Sequence, residues 1–114
     1  MNTDFLDYLQ QLVETSPIII DRPKGSDHHR FSGKAYPVNY GYLDGTSSMD
    51  CGGVDIWVGS MGIQKVVGVL CTVDLLKRDT ELKILFDCTD LEIQLIHEFV
   101  NDNRMRAMYI KLER

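Results

Sequence analysis

Every apolar segment of this chain is strand-length, and that limits its fold more than any other feature. Residues 18–20 are three isoleucines in a row, and β-branched side chains suit the pleated surface of a sheet. Residues 54–60, 65–73 and 81–86 are three further strand candidates separated by turn-sized gaps. The longest apolar run, residues 66–73, is broken by Gly68 and Thr72 and falls far short of a membrane span. Residues 36–43 are aromatic-rich and read as extended, and residues 105–112 read as a closing strand. Two segments carry helical periodicity instead. In residues 3–14, Phe5, Leu6, Leu9, Leu12 and Val13 fall on one face. Ser16-Pro17 ends that helix, because the residue before a proline is pushed towards extended geometry. In residues 89–100, Thr89-Asp90-Leu91-Glu92 is a capping-box pattern, with Leu91, Leu95, Ile96 and Phe99 as the expected buried stripe. The result is about six short strands with one helix at each end, a small β-barrel or open sheet with helices packed outside.

With 114 residues and no linker, repeat or low-complexity stretch, one domain over residues 1–114 is expected. Twelve Lys plus Arg against 17 Asp plus Glu give a formal charge of −5. An acidic whole argues against a nucleic-acid partner, which needs basic surface to displace phosphate counterions. It leaves small anionic ligands open, since a bound cation inverts the local field. The first residues carry Asp4 and Asp7 and no basic stretch ahead of an apolar one, so no secretory leader and no membrane partner are expected. Cys51, Cys71 and Cys88 are odd in number and lack a CxxC, which reads as reduced thiols in a cytoplasmic protein.

The acids are the informative side chains. Asp50 and Asp55 flank Cys51-Gly52-Gly53-Val54, and a Gly-Gly pair bends tightly enough for both carboxylates to converge on one hard cation. Asp74 directly follows the apolar run of residues 66–73, at a strand end. Asp79 and Glu81 lie in or just beyond a hairpin turn, and Lys83 shares a strand face with Glu81. Asp74 and Glu81 then face each other across the hairpin mouth. The same spacings suit turn aspartates and solvated edge charges, so both readings stand on spacing alone. Tyr36, Tyr40 and Tyr42 suit barrel packing as well as ligand contact, and their hydroxyls need partners if buried. Arg22, Lys24, His28, His29 and Arg30 form a basic cluster, either a solvated loop or a set of anion ligands. Trp57 is expected in the core and His97 at the surface or its boundary.

Residues 36–60 read YPVNYGYLDGTSSMDCGGVDIWVGS. This stretch closely resembles the soluble, metal-dependent inorganic pyrophosphatases, whose signature runs YPxNYGYxxGTxxxDGDPxDVxV. Upstream, Ile18-Ile19-Ile20 and Asp21-Arg22-Pro23-Lys24-Gly25-Ser26 are similar to the family's first barrel strand. Downstream, Gly68-Val69-Leu70, Asp74 and Glu81-Leu82-Lys83 follow its GVL…D…D-x-K order. The resemblance runs over residues 18–112 and is most specific over residues 36–60. It implies a mainly β fold, a small OB-type barrel of five to six strands with an N-terminal and a C-terminal helix outside. It also implies Mg²⁺, or Mn²⁺, at the barrel mouth and hydrolysis of inorganic pyrophosphate or a related phosphoanhydride by metal-activated water. By position, Asp50 and Asp55 hold the first metal and Asp55 touches the second. Asp74 and Glu81, or Asp79, complete the set, with Asp21 as an outer acid. Lys83 and Tyr40 bind phosphate oxygens, and Asp50, Asp55 and Tyr40 carry catalysis.

This chain departs from the pattern at several positions. Gly52 stands where the family has the aspartate that takes the proton of the attacking water, and Cys51 replaces the glycine before it. His29 and Phe31 fall on a Lys-x-Glu pair. A hairpin bearing a phosphate-binding arginine is missing, and Val100 and Asn101 fall near a lost Tyr-Lys pair. Arg22, Lys24 and Arg30 are the candidate replacements from the shorter loop. Cys51, with no His nearby in sequence, reads as incidental rather than nucleophilic. Two functions follow: a hydrolase of a small phosphate-containing substrate, or a catalytically impaired relative that binds a metal, a phosphate ligand or a protein partner. Exposed barrel edges and small size are compatible with a homo-oligomer.

Overall fold

The computed structural model describes residues 3–28, 33–48 and 52–113. Helix α1 (Thr3–Glu14) precedes strands β1 (Ile18–Arg22), β2 (Asn39–Leu43), β3 (Val54–Val58), β4 (Val66–Asp74) and β5 (Asp79–Phe86). Helix α2 (Asp90–Val100) and strand β6 (Met105–Lys111) follow. The strands form one mixed sheet in the order β1-β2-β3-β5-β4-β6. Every neighbouring pair is antiparallel except β3 and β5, which run parallel with Ile56 opposite Ile84 and Val58 opposite Phe86. The β4–β5 hairpin itself makes this crossover. The expected barrel is met, in its hydrogen bonding, as an open sheet, and no ladder among the described residues joins β6 to β1. The reason lies in β6, which pairs along β4 from Gly68↔Lys111 to Asp74↔Met105 and so uses the outer edge of that strand.

Strand alternation splits the core in two. Ile56, Val69, Ile84 and Phe86 face Leu6, Leu9 and Val13 of α1. Trp57, Leu70 and Leu85 point the other way, against Ile93, Ile96 and Val100 of α2. Both faces are thus covered by a helix, as the amphipathic ends of the chain require. Within α1, Gln10 is buried too. Its Oε1 accepts from the Val66 N–H at 2.7 Å and its Nε2 donates to the Gln64 carbonyl, which pins the helix to the start of β4.

Helix α2 begins as its sequence predicts. The Thr89 side chain accepts from the Glu92 N–H, and the Glu92 carboxylate accepts from the Thr89 N–H. Its inward stripe differs from the expected one. Ile93, Ile96 and Val100 are buried, while Leu91 is 64% and Leu95 39% exposed. Two residues along a helix turn it by roughly 200°, so burying Ile93 sends Leu91 and Leu95 to the far side. The segment before β2 folds back on itself. Asp27 bridges Ala35, and the His28 N–H donates to the Lys34 carbonyl at 2.8 Å. At Gly41, a Cβ would fall on the Ile19 carbonyl, so only glycine lets β1 approach β2 here.

Candidate functional site

Strands β2, β3 and β5 assemble a compact charged node on the face that α2 covers. Asp55 sits two residues before Trp57 on β3, and Glu81 and Lys83 sit before Leu85 on β5, so all three share that face. Lys83 Nζ donates to Asp55 Oδ2 at 2.7 Å, to Glu81 Oε2 at 2.8 Å and to the Tyr40 hydroxyl at 2.9 Å. Those three bonds use every N–H of the ammonium. The Lys83 side chain is only 9% exposed. Burial disfavours its charge, but the Tyr40 oxygen, Asp55 and Glu81 outweigh that and hold its pKa above the ordinary lysine value. Burial also pushes the Tyr40 phenol up against the pull of Lys83, so Tyr40 keeps its proton.

A second node joins the β4–β5 turn to the segment after α2. Asp74 is fully buried. Its Oδ1 accepts from the Leu76 and Lys77 N–H groups at 2.9 and 3.0 Å, which closes the turn, and its Oδ2 accepts from Arg104 Nη1 at 2.7 Å. Asp102 accepts from the Arg104 and Met105 N–H groups and lies 3.6 Å from Lys34 Nζ. Burial would raise its carboxyl pKa, but those N–H donors, with Lys34 and Arg104 beside it, hold it below the usual range.

Between the nodes lies a cavity of about 190 Å³. Asp21 and Arg22 of β1, His28 and Lys34 of the folded-back loop, and Asp79, Glu81 and Lys83 of β5 line it. Its aromatic wall is continuous: His28 stacks on Tyr36 at 5.8 Å, Tyr36 meets Phe99 at 4.8 Å, and Tyr40 meets Trp57 at 4.5 Å. On the lining residues, the buried donor Trp57 Nε1 and the buried acceptor Glu81 Oε1 have no hydrogen-bond partner among the described residues.

Tyr40, Lys83, Glu81, Asp79, Asp74, Asp21 and Arg22 line one cavity. Asp55 reaches this group through Lys83. Asp55 and Asp74 pair with different side-chain cations, the first with Lys83 and the second with Arg104. Lys24 is exposed and not part of the lining, and its backbone N–H donates to Asn39 Oδ1. Asp50, Cys51, His29, Phe31 and Arg30 lie outside the described residues. Arg104, Asp102 and Lys34 escaped sequence reasoning. Asn101-Asp102-Asn103 follows the second helix as a run that suits a helix end, and nothing local ties Arg104 to a strand end thirty positions earlier. Cys88 is buried and burial pushes its thiol up to about 12, which leaves it unreactive at neutral pH.

Among the described residues, the donor set for a resident Mg²⁺ is incomplete. Glu81 Oε1 is a buried carboxylate oxygen of the kind a hard cation takes. Yet no three His, Cys, Asp or Glu side chains among the described residues converge to hold a metal ion. Asp55 and Glu81 already share an ammonium. The described residues do not fit the metal centre that the sequence resemblance implies.

No protein-family model and no curated protein matches the chain. Solved structures do. An inorganic pyrophosphatase from Coxiella burnetii superposes with a TM-score of 0.63 at 16% identity, over 82% of this chain and 84% of that one. The inorganic pyrophosphatase of Helicobacter pylori gives 0.60 at 16% identity over 82% and 81%. An inorganic phosphatase from Anaplasma phagocytophilum gives 0.54 at 19% identity over 84% and 74%. At such identities the likeness speaks for backbone architecture. The chain has the inorganic pyrophosphatase fold, in a shortened and diverged form.

Proposed function

We propose that this protein binds a small phosphate-bearing ligand, inorganic phosphate or pyrophosphate, in the cavity beside Lys83, with its hydrolytic power weakened. The Lys83 node carries this reading. A buried ammonium sits beside a cavity whose wall also holds Arg22, Lys34, Lys77 and Arg104. Several acids of the site are already matched. Asp55 and Glu81 pair with Lys83, Asp74 with Arg104, and Asp102 with Lys34. An entering anion meets compensated charge rather than a bare acidic mouth. Trp57 Nε1 offers a further donor. Gly52 supplies no proton acceptor, and loss of a positioned general base costs about 10²–10⁴-fold in rate. Free Cys71 and Cys88 agree with the cytoplasmic setting proposed for it.

The second reading is Mg²⁺-dependent hydrolysis of pyrophosphate or a related phosphoanhydride. The open Glu81 Oε1 beside Asp79 and Asp21 favours it. One experiment separates the two. Pyrophosphate and phosphate are titrated by calorimetry and by the fluorescence of Trp57, the single tryptophan. Phosphate release with Mg²⁺ or Mn²⁺ is then assayed for wild type and Gly52→Asp, beside a nucleoside-triphosphate panel. Binding with no release by wild type is the expected result, and release revived in Gly52→Asp marks a hydrolase that has lost its base. Steady turnover by wild type that Asp55→Asn abolishes selects the second reading. Neither binding nor release overturns both.

A further inference from the structure

We infer that the Lys83 ammonium stands where a divalent cation would have to sit, so that the phosphate site works without metal. This deepens the reading of the cavity as a phosphate site and rests on it. A cation held jointly by β3 and β5 has to lie within reach of both Asp55 and Glu81. One atom already does: Lys83 Nζ, at 2.7 Å from Asp55 Oδ2 and 2.8 Å from Glu81 Oε2. The Tyr40 hydroxyl at 2.9 Å takes its third N–H, so the ammonium is fully coordinated by protein oxygens. A second cation at that point would meet both the volume and the charge of Nζ.

Lys83 is not a loose surface side chain that swings aside. Strand alternation on β5 directs it to the face of Leu85, and its side chain is 9% exposed. Displacing it would bury an unpaired ammonium against the aromatic wall, which is strongly disfavoured. The pattern repeats at the neighbouring acid. Asp74, the strand-end carboxylate, is taken up by Arg104 Nη1 at 2.7 Å and by two backbone N–H groups. Protein cations thus occupy one oxygen each of Asp55, Glu81 and Asp74, the three carboxylates that face these two nodes. Charge compensation that would come from an ion in solution is built into the chain.

The test uses metal-stripped protein. Mn²⁺ is titrated into wild type and Lys83→Met and followed by electron paramagnetic resonance and calorimetry. Pyrophosphate binding to wild type is measured with chelator and with Mg²⁺. The expected result is that wild type takes up Mn²⁺ weakly and binds pyrophosphate equally well with chelator. Lys83→Met, with both carboxylates freed, should bind Mn²⁺ roughly tenfold tighter or more, the size of an ordinary coupling between sites. Its melting temperature should rise with Mn²⁺ where that of wild type does not. If Lys83→Met fails to fold, wild type alone decides: tight Mn²⁺ binding, or pyrophosphate binding that needs Mg²⁺, overturns the inference while leaving the phosphate site standing. Pyrophosphate bound under neither condition overturns the phosphate reading instead, and the Mn²⁺ titration still judges the place of the ammonium.

Discussion

Asp74 shows how one side chain can serve both fold and site. Its two oxygens accept three bonds, two from the turn it closes and one from Arg104, in a fully buried position. Asp74→Asn keeps the shape and an acceptor oxygen for the turn but removes the nearer charge partner of the Arg104 guanidinium, leaving it Asp102 at 3.8 Å. Breaking a buried pair in this way costs about 3–5 kcal/mol, reduced here because Arg104 retains some solvent contact. We expect urea denaturation of Asp74→Asn to show a loss of about 2–3 kcal/mol with an unchanged m-value. A midpoint equal to wild type would mean that the pair contributes nothing net. The sequence showed Asp74 as a strand-end acid and a metal candidate. It could not show Arg104, because their contact spans thirty positions and no local pattern links them.

At the scale of elements, helix α2 decides where the cavity closes, since Phe99 and Val100 at its end line the wall. Its start is set by the reciprocal Thr89–Glu92 bonds, and Glu92 Oε2 also accepts from the Ser60 hydroxyl at 3.0 Å. That cap therefore ties α2 to the β3–β4 connection as well as to its own first turn. Thr89→Ala should cost about 1 kcal/mol, read as a lower denaturant midpoint. Thr89→Ser, which keeps the acceptor, should recover most of it, and a serine variant as weak as alanine would refute the capping role. The cap was legible because it is a four-residue pattern. The stripe was not, because Leu91 and Ile93 are equally apolar, and the sheet below selects between them through Trp57, Leu70 and Leu85.

For the whole molecule, acid should weaken the fold through groups at opposite ends of α2. For Glu92, burial works against the charge, but N–H donors of Thr89 and Ser60 hold its carboxyl below the usual value. Asp102 is depressed likewise by the Arg104 and Met105 N–H groups. A carboxyl depressed in the folded state adds stability above its unfolded pKa, about 4, and that stability is lost as pH falls through the folded value. Denaturation midpoints should therefore show no change from these two groups between pH 7 and pH 5 and fall below about pH 4. Glu92→Gln with Asp102→Asn should flatten that fall, and an equally steep decline would exclude both groups as its source. By itself the sequence determined what depends on neighbours along the chain: helix and strand positions, the α2 cap, and a motif that places Tyr40, Asp55 and Lys83 in order. Tertiary structure alone decided the parallel β3–β5 pairing, the seating of β6 on β4, and the choice of partner for each charge. Those depend on distance across the sheet. An acid five residues from another reads as half of a metal site until folding brings an ammonium to it first.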